Sequence, residues 1–186
     1  MALHGVCPWW IGYLLASPIR KLWQDPGRVL EPYIQAGMTV LEPGPGMGFF
    51  TLDMARLVGP SGRVVAVDMQ PRMIEALKRR AREAGLLDRI GARVCGPTSM
   101  ELADLDGTVD FVFVCAVLHE LPSAAAFFAE AARAMKSGAT LLLIEPYGHV
   151  SEVESAEQMK AAADNGLNVI GRPSMKGFTA ALLRKP

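Results

Sequence analysis

The 186-residue sequence is 51% hydrophobic and 20% charged, which is enough apolar material for the core of one globular domain. Its 19 basic and 19 acidic side chains balance, so neither nucleic acid nor an anionic membrane is the expected partner. Cys7, Cys95 and Cys115 are odd in number and contain no C-x-x-C pair. They indicate neither disulfides nor a zinc site, and they favour a reducing, cytoplasmic setting.

The N-terminal segment "MALHGVCPWWIGYLLASP" is apolar but is not typical of an export signal. It has no Lys or Arg before Arg20, and a proline and a glycine interrupt its apolar run. Helical spacing relates five of its apolar residues: Val6, Trp9, Trp10, Tyr13 and Leu14. We therefore predict a helical lid or docking segment over residues 1–36, in which Trp9, Trp10 and Tyr13 contact a small substrate. Packing on the domain, or sealing a homodimer, is an alternative that these residues leave open.

Turn signals divide this first segment into short helices. The stretches "SP" and "DPG" place Pro18 and Pro26 in first helical turns, and Gly37 is expected to end the last of these helices.

From residue 37 onward, strand and helix patterns alternate. In order they are strand "TVLEP", helix "FFTLDMARLVG", strand "RVVAVD", helix "PRMIEALKRRAREAG", strand "ARVC", strand "DFVFVCA", helix "SAAAFFAEAARAMKSG" and strand "TLLLIEP". Because these strands are apolar almost throughout, they are typical of a parallel sheet that is covered on both faces. The pattern predicts a doubly wound α/β domain over residues 37–186.

The end of the sequence breaks the alternation. A helix, "SAEQMKAAADNG", precedes the strands "NVIG" and "GFTAALLRK", and only "RPSMK" separates those two strands. A parallel crossover needs a dozen or more residues. The last strand is therefore predicted to run antiparallel to its neighbour.

The stretch "VLEPGPGMGFF" at residues 40–50 places Gly44, Gly46 and Gly48 where the first strand turns into a helix. Open α/β sheets bind ligands at this edge, and glycine lets the backbone approach a ligand closely. Asp68 ends the next strand, where a carboxylate can accept from both hydroxyls of a ribose. NAD, FAD and S-adenosylmethionine all carry such a ribose, but no frame of the loop gives the dinucleotide pattern G-x-G-x-x-G.

The pattern "EPGPGMG" resembles that of the class I S-adenosylmethionine-dependent methyltransferases, as do "VLHEL", "MKSGATLLLIEP" and the antiparallel tail. The resemblance covers the chain from about Gly37 to its end. It implies a Rossmann-like sheet of seven strands, mostly parallel, with the antiparallel seventh strand between the fifth and the sixth and helices on both faces. It also implies S-adenosylmethionine as the cofactor.

The resemblance assigns the cofactor contacts to named positions. The methionine part would be held by Glu42 and by the loop residues Gly44, Pro45, Gly46 and Gly48. Asp68 would bind the ribose, and Met69 would pack on adenine. The family often has an acidic residue after the third strand, but this chain has "CGPTS" there, so Thr98 or a backbone group would substitute. Cys115 would line the cofactor cleft as a small apolar residue.

Methyl transfer depends mainly on alignment of the acceptor with the methyl group, and it needs a base only when the acceptor must lose a proton. The resemblance places His119 and Glu120, and after the fifth strand Glu145, Tyr147 and His149, on the acceptor side. His119 matches a histidine of segments resembling "VLHHL" in the small-molecule branch and is the first candidate for acceptor contact or base, with Glu120 as the second. An alternative role for His119 is to cap the following helix or to form a hydrogen bond with a loop carbonyl group. Glu145 is expected to fix the loop after the fifth strand.

The predicted function is methyl transfer to a small molecule, without a metal. The Pro-Pro-Tyr or Pro-Pro-Phe motif of amino-methylating enzymes is missing. The basic run "KRRAR" at residues 78–82 is expected to form a solvated face that points away from the ligand edge. The alternatives are a catalytically silent S-adenosylmethionine-binding subunit, a nicotinamide oxidoreductase, and methylation of a thiol-bound metalloid. For the metalloid, Cys95 and Cys115 would lie about 14 Å apart at about 4.8 Å per strand step and could not share one ion.

Overall fold

The computed structural model of the protein describes residues 25–186. The aromatic residues predicted to contact substrate, Trp9, Trp10 and Tyr13, and the predicted helix start at Pro18 lie outside the described residues. Within this range the chain divides into two compact units, residues 25–95 and residues 96–186. No helix within residues 25–186 is long and apolar enough to cross a membrane.

The first unit alternates helices and strands. Its elements are helix α1 (Pro26–Leu30), strand β1 (Thr39–Pro43), helix α2 (Thr51–Leu57), strand β2 (Arg63–Asp68), helix α3 (Pro71–Glu83) and strand β3 (Ile90–Val94). Strand β2 pairs in parallel with both β1 and β3. Its residues 64–67 are no more than 1% exposed, which is the burial on both faces that an uninterrupted apolar run predicts.

The helix that begins at Pro26 is shorter than predicted. Helix α1 begins at Pro26, where the Asp25 side chain accepts hydrogen bonds from two backbone N–H groups of the first turn. It ends at Leu30 and not at Gly37, so the prediction of the helix end is wrong. Pro32 explains the difference, because it has no N–H group to continue the helical hydrogen bonds. Gly37 instead takes a positive φ of 87° in the turn before β1.

The second unit contains four strands and two α-helices. Its elements are strand β4 (Val109–Cys115), helix α4 (Ala124–Ala134), strand β5 (Met135–Pro146), helix α5 (Glu152–Asp164), strand β6 (Asn168–Gly171) and strand β7 (Phe178–Arg184). Strand β4 is parallel to β5, whereas β7 is antiparallel to both β5 and β6. Within this unit the strand order β4-β5-β7-β6 confirms the predicted antiparallel last strand between the fifth and the sixth.

The largest differences from the predicted boundaries in the second unit lie at the end of α4 with the start of β5, and at the start of α5. Helix α4 ends at Ala134, and the next residue, Met135, already belongs to β5 and pairs with Val109. Burial of Met135 and an ion pair of 2.5 Å between Lys136 and Asp110 hold this early part of the strand. Helix α5 begins three residues earlier than predicted, at Glu152, because Ser151 and the residue at the third helical position form a capping box.

Candidate active site

The glycine loop has a backbone that demands glycine. Gly44, Gly46 and Gly48 have φ values of +64°, +53° and +84°, in the left-handed region that other residues enter only with strain. The Gly44 N–H donates to the carbonyl oxygen of Val67 at 2.8 Å, and the Gly48 N–H donates to that of Pro45 at 3.0 Å. The loop is therefore a tight, hydrogen-bonded turn that begins against strand β2.

Two of these glycines have different surroundings. A Cβ atom at Gly48 would lie 2.4 Å from Cδ1 of Leu77, whereas a Cβ atom at Gly46 would meet no atom within 4 Å. The contact with Leu77 of helix α3 is thus sufficient to explain why residue 48 is a glycine, and no ligand is needed to explain it. At Gly46 the backbone borders open space, which fits the close approach of a ligand to the loop.

Glu42 is a buried acid at the end of β1. Its side chain is 3% exposed, and its Oε2 accepts a hydrogen bond of 2.5 Å from Oγ1 of Thr51, at the start of α2. Burial raises the pKa of Glu42 to about 8, against the opposing effect of the Thr51 hydrogen bond, and the charge of Asp68 raises the pKa further. Glu42 is therefore mainly neutral at pH 7, so it can donate as well as accept a hydrogen bond.

Asp68 ends strand β2 and is held by the start of the following helix. It is 8% exposed, and its Oδ1 accepts a hydrogen bond of 2.8 Å from the N–H of Gln70, directly before α3 begins. This bond fixes the orientation of the carboxylate. Met69 beside it is 38% exposed, an unusual position for a large apolar side chain, and Thr98 in the bend after β3 is also exposed.

The basic run does not form a uniformly solvated face. Arg80 is half-buried, and its Nη1 donates to the main-chain carbonyl oxygen of Met47 in the glycine loop. The prediction that the run points away from the ligand edge is therefore wrong for Arg80, although the other basic residues are exposed: Lys78, Arg79 and Arg82. Burial lowers the pKa of the Arg80 guanidinium, and the charge of Glu83 opposes this.

The sequence pattern of helix α3 indicates that Arg80 lies on the buried face of the helix. Met73 and Leu77 are buried on helix α3, and Arg80 follows them at the spacing i, i+4, i+7 that defines one face of a helix. A charged residue on the buried face needs a partner. The sequence could therefore have singled out Arg80, but not the carbonyl group that it binds.

In the second unit, the central feature is a hydrogen-bonded pair of His119 and Glu145. His119 lies in the 3-10 turn Leu118–Glu120 that follows β4, and its side chain is 10% exposed. Its Nδ1 is 2.6 Å from Oε2 of Glu145, and its backbone N–H donates to Oε1 at 3.3 Å. Glu145, near the end of β5, is 3% exposed. One buried carboxylate thus fixes both the turn and the imidazole ring.

This pairing changes the expected roles of both residues. The Glu145 side chain holds the turn after the fourth strand, and not the loop after the fifth strand as predicted. Helix α4 is capped by Ser123, whose side chain accepts from a backbone N–H of the first turn, so His119 does not provide that cap. The hydrogen bond to Glu145 raises the pKa of His119, whereas burial opposes the rise.

Further polar groups surround the imidazole. The His149 ring lies edge-on to the His119 ring, with 5.3 Å between their centroids. The negative charges of Glu145, Glu120 and Glu154 all raise the pKa of His119. Tyr147, predicted to contact substrate, is 63% exposed. An imidazole whose Nδ1 is bound by a carboxylate can exchange a proton at Nε2, so this arrangement is suited to acid–base chemistry.

The chain is strained just before this turn. Ala116 has a φ of +55°, a left-handed conformation that costs a non-glycine residue roughly 1–2 kcal/mol. Its N–H donates to the carbonyl oxygen of Ile144 at 2.9 Å, which holds the strained residue in place. Cys115, immediately before it at the end of β4, is half-buried. Such strain is concentrated at functional sites.

A shallow depression lies against the same carboxylate. It is lined by Glu145 and Thr179 from strands and by Ser155 and Gln158 from α5. Arg172 also lines it and supplies a positive charge. Within residues 25–186, no group of three or more His, Cys, Asp or Glu side chains is arranged to hold a metal ion.

Comparisons with known proteins agree with this geometry. Residues 34–175 match the family model described as a methyltransferase domain. A catechol O-methyltransferase of Mycobacterium tuberculosis is 30% identical over 161 residues, which cover 78% of this chain and 71% of that protein. The ubiquinone/menaquinone biosynthesis C-methyltransferase UbiE of Hahella chejuensis is 26% identical over 132 residues, and these cover 71% of this chain and 52% of that protein. The chain thus spans about half the length of the latter relative.

Solved structures show the same fold. A SAM-dependent methyltransferase from Aquifex aeolicus superposes with a TM-score of 0.87 at 25% identity, covering 97% of this chain and 100% of that one. A geranyl diphosphate C-methyltransferase from Streptomyces coelicolor has a TM-score of 0.74 at 19% identity, covering 90% of this chain and 82% of that one.

Proposed function

The chain belongs to the class I S-adenosylmethionine-dependent methyltransferases, and within that family we propose that it methylates a small-molecule acceptor, with His119 handling the acceptor's proton. The observation that carries this proposal is the buried pair of His119 and Glu145. The relatives give further support, since one is a catechol O-methyltransferase and another is a ubiquinone/menaquinone biosynthesis C-methyltransferase.

The residues of the first unit fit the cofactor. The open space beside Gly46 leaves room for a ligand against the backbone, and the oriented carboxylate of Asp68 suits a pair of ribose hydroxyls. Glu42 is assigned to the methionine part, and its neutral state lets it donate or accept there. When bound, S-adenosylmethionine supplies a methyl group that is already activated by the positive sulfonium. We assign Gly44, Pro45, Met69, Thr98 and Cys115 to the remaining cofactor contacts by family resemblance.

The proposed role of His119, in the second unit, is to remove a proton from the acceptor. Glu145 binds Nδ1 of His119 at 2.6 Å, which orients the ring and stabilises its protonated form. The resulting rise in the His119 pKa makes the neutral imidazole a stronger base. An acceptor whose hydroxyl or acidic C–H group must lose a proton is the chemical class that needs such a base.

The experiment measures methyl transfer from labelled S-adenosylmethionine to a panel of phenols and quinols. Glu145→Gln and His119→Gln should each reduce turnover, and loss of a general base costs roughly 10²- to 10⁴-fold. Their affinity for S-adenosylhomocysteine should stay within about twofold of that of the unmodified protein, because both residues are assigned to the acceptor. Glu157→Gln is the matched control, since Glu157 is exposed on α5.

Other outcomes separate the alternatives. Full activity of His119→Gln would defeat the proposed role of that residue. Binding of S-adenosylhomocysteine without transfer to any compound of a metabolite extract would favour a catalytically silent subunit. A thermal shift with NADH and none with S-adenosylhomocysteine would contradict the assigned cofactor.

A further inference from the structure

Helix α3 forms an apolar support for the glycine loop. The Met47 side chain is 3% exposed and belongs to one buried cluster with Met73 and Ala76 of this helix. Gly48 lies so close to Leu77 that a Cβ atom would overlap it at 2.4 Å. The loop therefore packs on α3 at two successive residues.

The peptide unit between Met47 and Gly48 is also held by a charged side chain, that of Arg80. Arg80 donates from Nη1 to the carbonyl oxygen of Met47, and that carbonyl belongs to the peptide whose N–H group, on Gly48, donates to Pro45. Both polar ends of one peptide are thus hydrogen-bonded. Because glycine has more backbone freedom than other residues, a loop with three glycines in five residues needs such restraints to keep one conformation.

The residue directly before helix α3 contacts a second residue that is assigned to the cofactor. The N–H of Gln70, directly before the helix, donates to Asp68, which is assigned to the ribose. The turn into helix α3 therefore orients the acid assigned to the ribose, and the helix itself holds the glycine loop through Arg80. A binding loop that is ordered before the ligand arrives loses less entropy when the ligand binds.

We propose that Arg80 is a positioning residue for the cofactor, which holds the glycine loop in its binding conformation through the Met47 carbonyl. The inference rests on the proposed placement of S-adenosylmethionine at this loop. Arg80 itself need not contact the cofactor. Its effect is on affinity, and the transfer step at saturating cofactor should be unchanged.

The test compares Arg80→Met and Arg80→Lys with the control Arg82→Met, since Arg82 is exposed on the same helix. Arg80→Met should weaken S-adenosylhomocysteine binding about tenfold by calorimetry, which is the scale of one lost hydrogen bond to a charged group. Arg80→Lys, which keeps a charged donor, should lie between it and the unmodified protein. Without ligand, hydrogen exchange at residues 44–48 should be faster in Arg80→Met and unchanged in Arg82→Met. The KM for S-adenosylmethionine should rise, with kcat within about twofold.

Several results would overturn the inference. One is Arg80→Met that binds S-adenosylhomocysteine within about twofold of the unmodified protein. Another is a lowered unfolding midpoint with unchanged exchange at the loop, which would indicate a merely structural arginine. If Arg80→Met does not fold, Arg80→Lys decides, and unchanged affinity and exchange in that variant would overturn the inference. An unmodified protein that binds no S-adenosylhomocysteine would overturn the proposed function together with this inference.

Discussion

Replacement of Glu42 by Gln should remove a large part of the pH dependence of the protein's stability. Glu42 is 3% exposed, and its pKa is raised from 4.5 to about 8 in the folded protein. The folded state therefore binds the proton more tightly than the unfolded state. The stability linked to this proton is fully present below pH 4.5, falls as the pH rises toward 8, and is constant above that. The amide introduced by Glu42→Gln stays neutral at every pH, so that variant cannot show this loss.

The magnitude follows from the size of the shift. Each pKa unit corresponds to about 1.4 kcal/mol, so the whole window amounts to at most about 5 kcal/mol of the free energy of unfolding. This is of the same order as the total stability of a small domain. At pH 5 the two proteins should differ little, because the amide can still accept the hydrogen bond from Thr51. At pH 8 the Glu42→Gln variant should be the more stable one by several kcal/mol.

The assay is urea unfolding at half-unit steps from pH 5 to pH 8.5, for the unmodified protein, Glu42→Gln and Glu75→Gln. Glu75 is exposed on α3, so its variant controls for the loss of one carboxylate. The difference between Glu42→Gln and the unmodified protein should grow by up to about 1.4 kcal/mol per pH unit. A difference that stays constant over the whole range would refute the reasoning, because it would mean that Glu42 ionises in the folded protein as readily as in the unfolded chain.

Three further predictions concern binding and turnover. Asp68→Ala should weaken S-adenosylhomocysteine binding by about 2 kcal/mol, measured by calorimetry against the exposed control Asp88→Ala; equal affinities would mean that the ribose lies elsewhere. The rate of methyl transfer should fall as the pH drops through the pKa of His119, which is raised above its ordinary value of 6.5. Glu145→Gln should move the midpoint of this pH profile to lower pH. A rate that is independent of pH between 6 and 8 would exclude His119 as the base. Deletion of residues 1–24, which we propose as part of a lid, should keep S-adenosylhomocysteine binding but abolish turnover; insoluble protein would indicate packing instead.

Much of the fold could be predicted because its signals are local. Strands β2 and β6 have the predicted bounds, Arg63–Asp68 and Asn168–Gly171, since runs of apolar residues between turns define them. The start of β5 could not be predicted in this way. The residues "MKSG" read as the end of a helix, but pairing of Met135 with Val109 makes them strand. Such pairing is a tertiary contact that no window of the sequence contains.

In the candidate site, too, features set by local sequence could be predicted and tertiary contacts could not. Asp68 and the glycines could be predicted because their positions at strand ends follow from spacing alone. The partners of His119 and Arg80 could not, since Glu145 lies 26 residues from the histidine and Met47 lies 33 residues from the arginine. A sequence pattern can indicate that a buried charge needs a partner. Only the packed chain identifies that partner.

The two carboxyl groups of the first unit illustrate how the fold assigns different roles to one kind of side chain. Glu42 lies inside, where burial keeps it neutral, and its own charge would be opposed by that of Asp68. Asp68 lies at the end of strand β2, where the backbone N–H of Gln70, directly before helix α3, binds it. A neutral Glu42 places no second negative charge beside Asp68, which we propose binds the ribose. The hydrogen bond from Thr51 then fixes the neutral acid without requiring its ionisation, and the pair can serve a cofactor that carries both positive charges and hydroxyl groups.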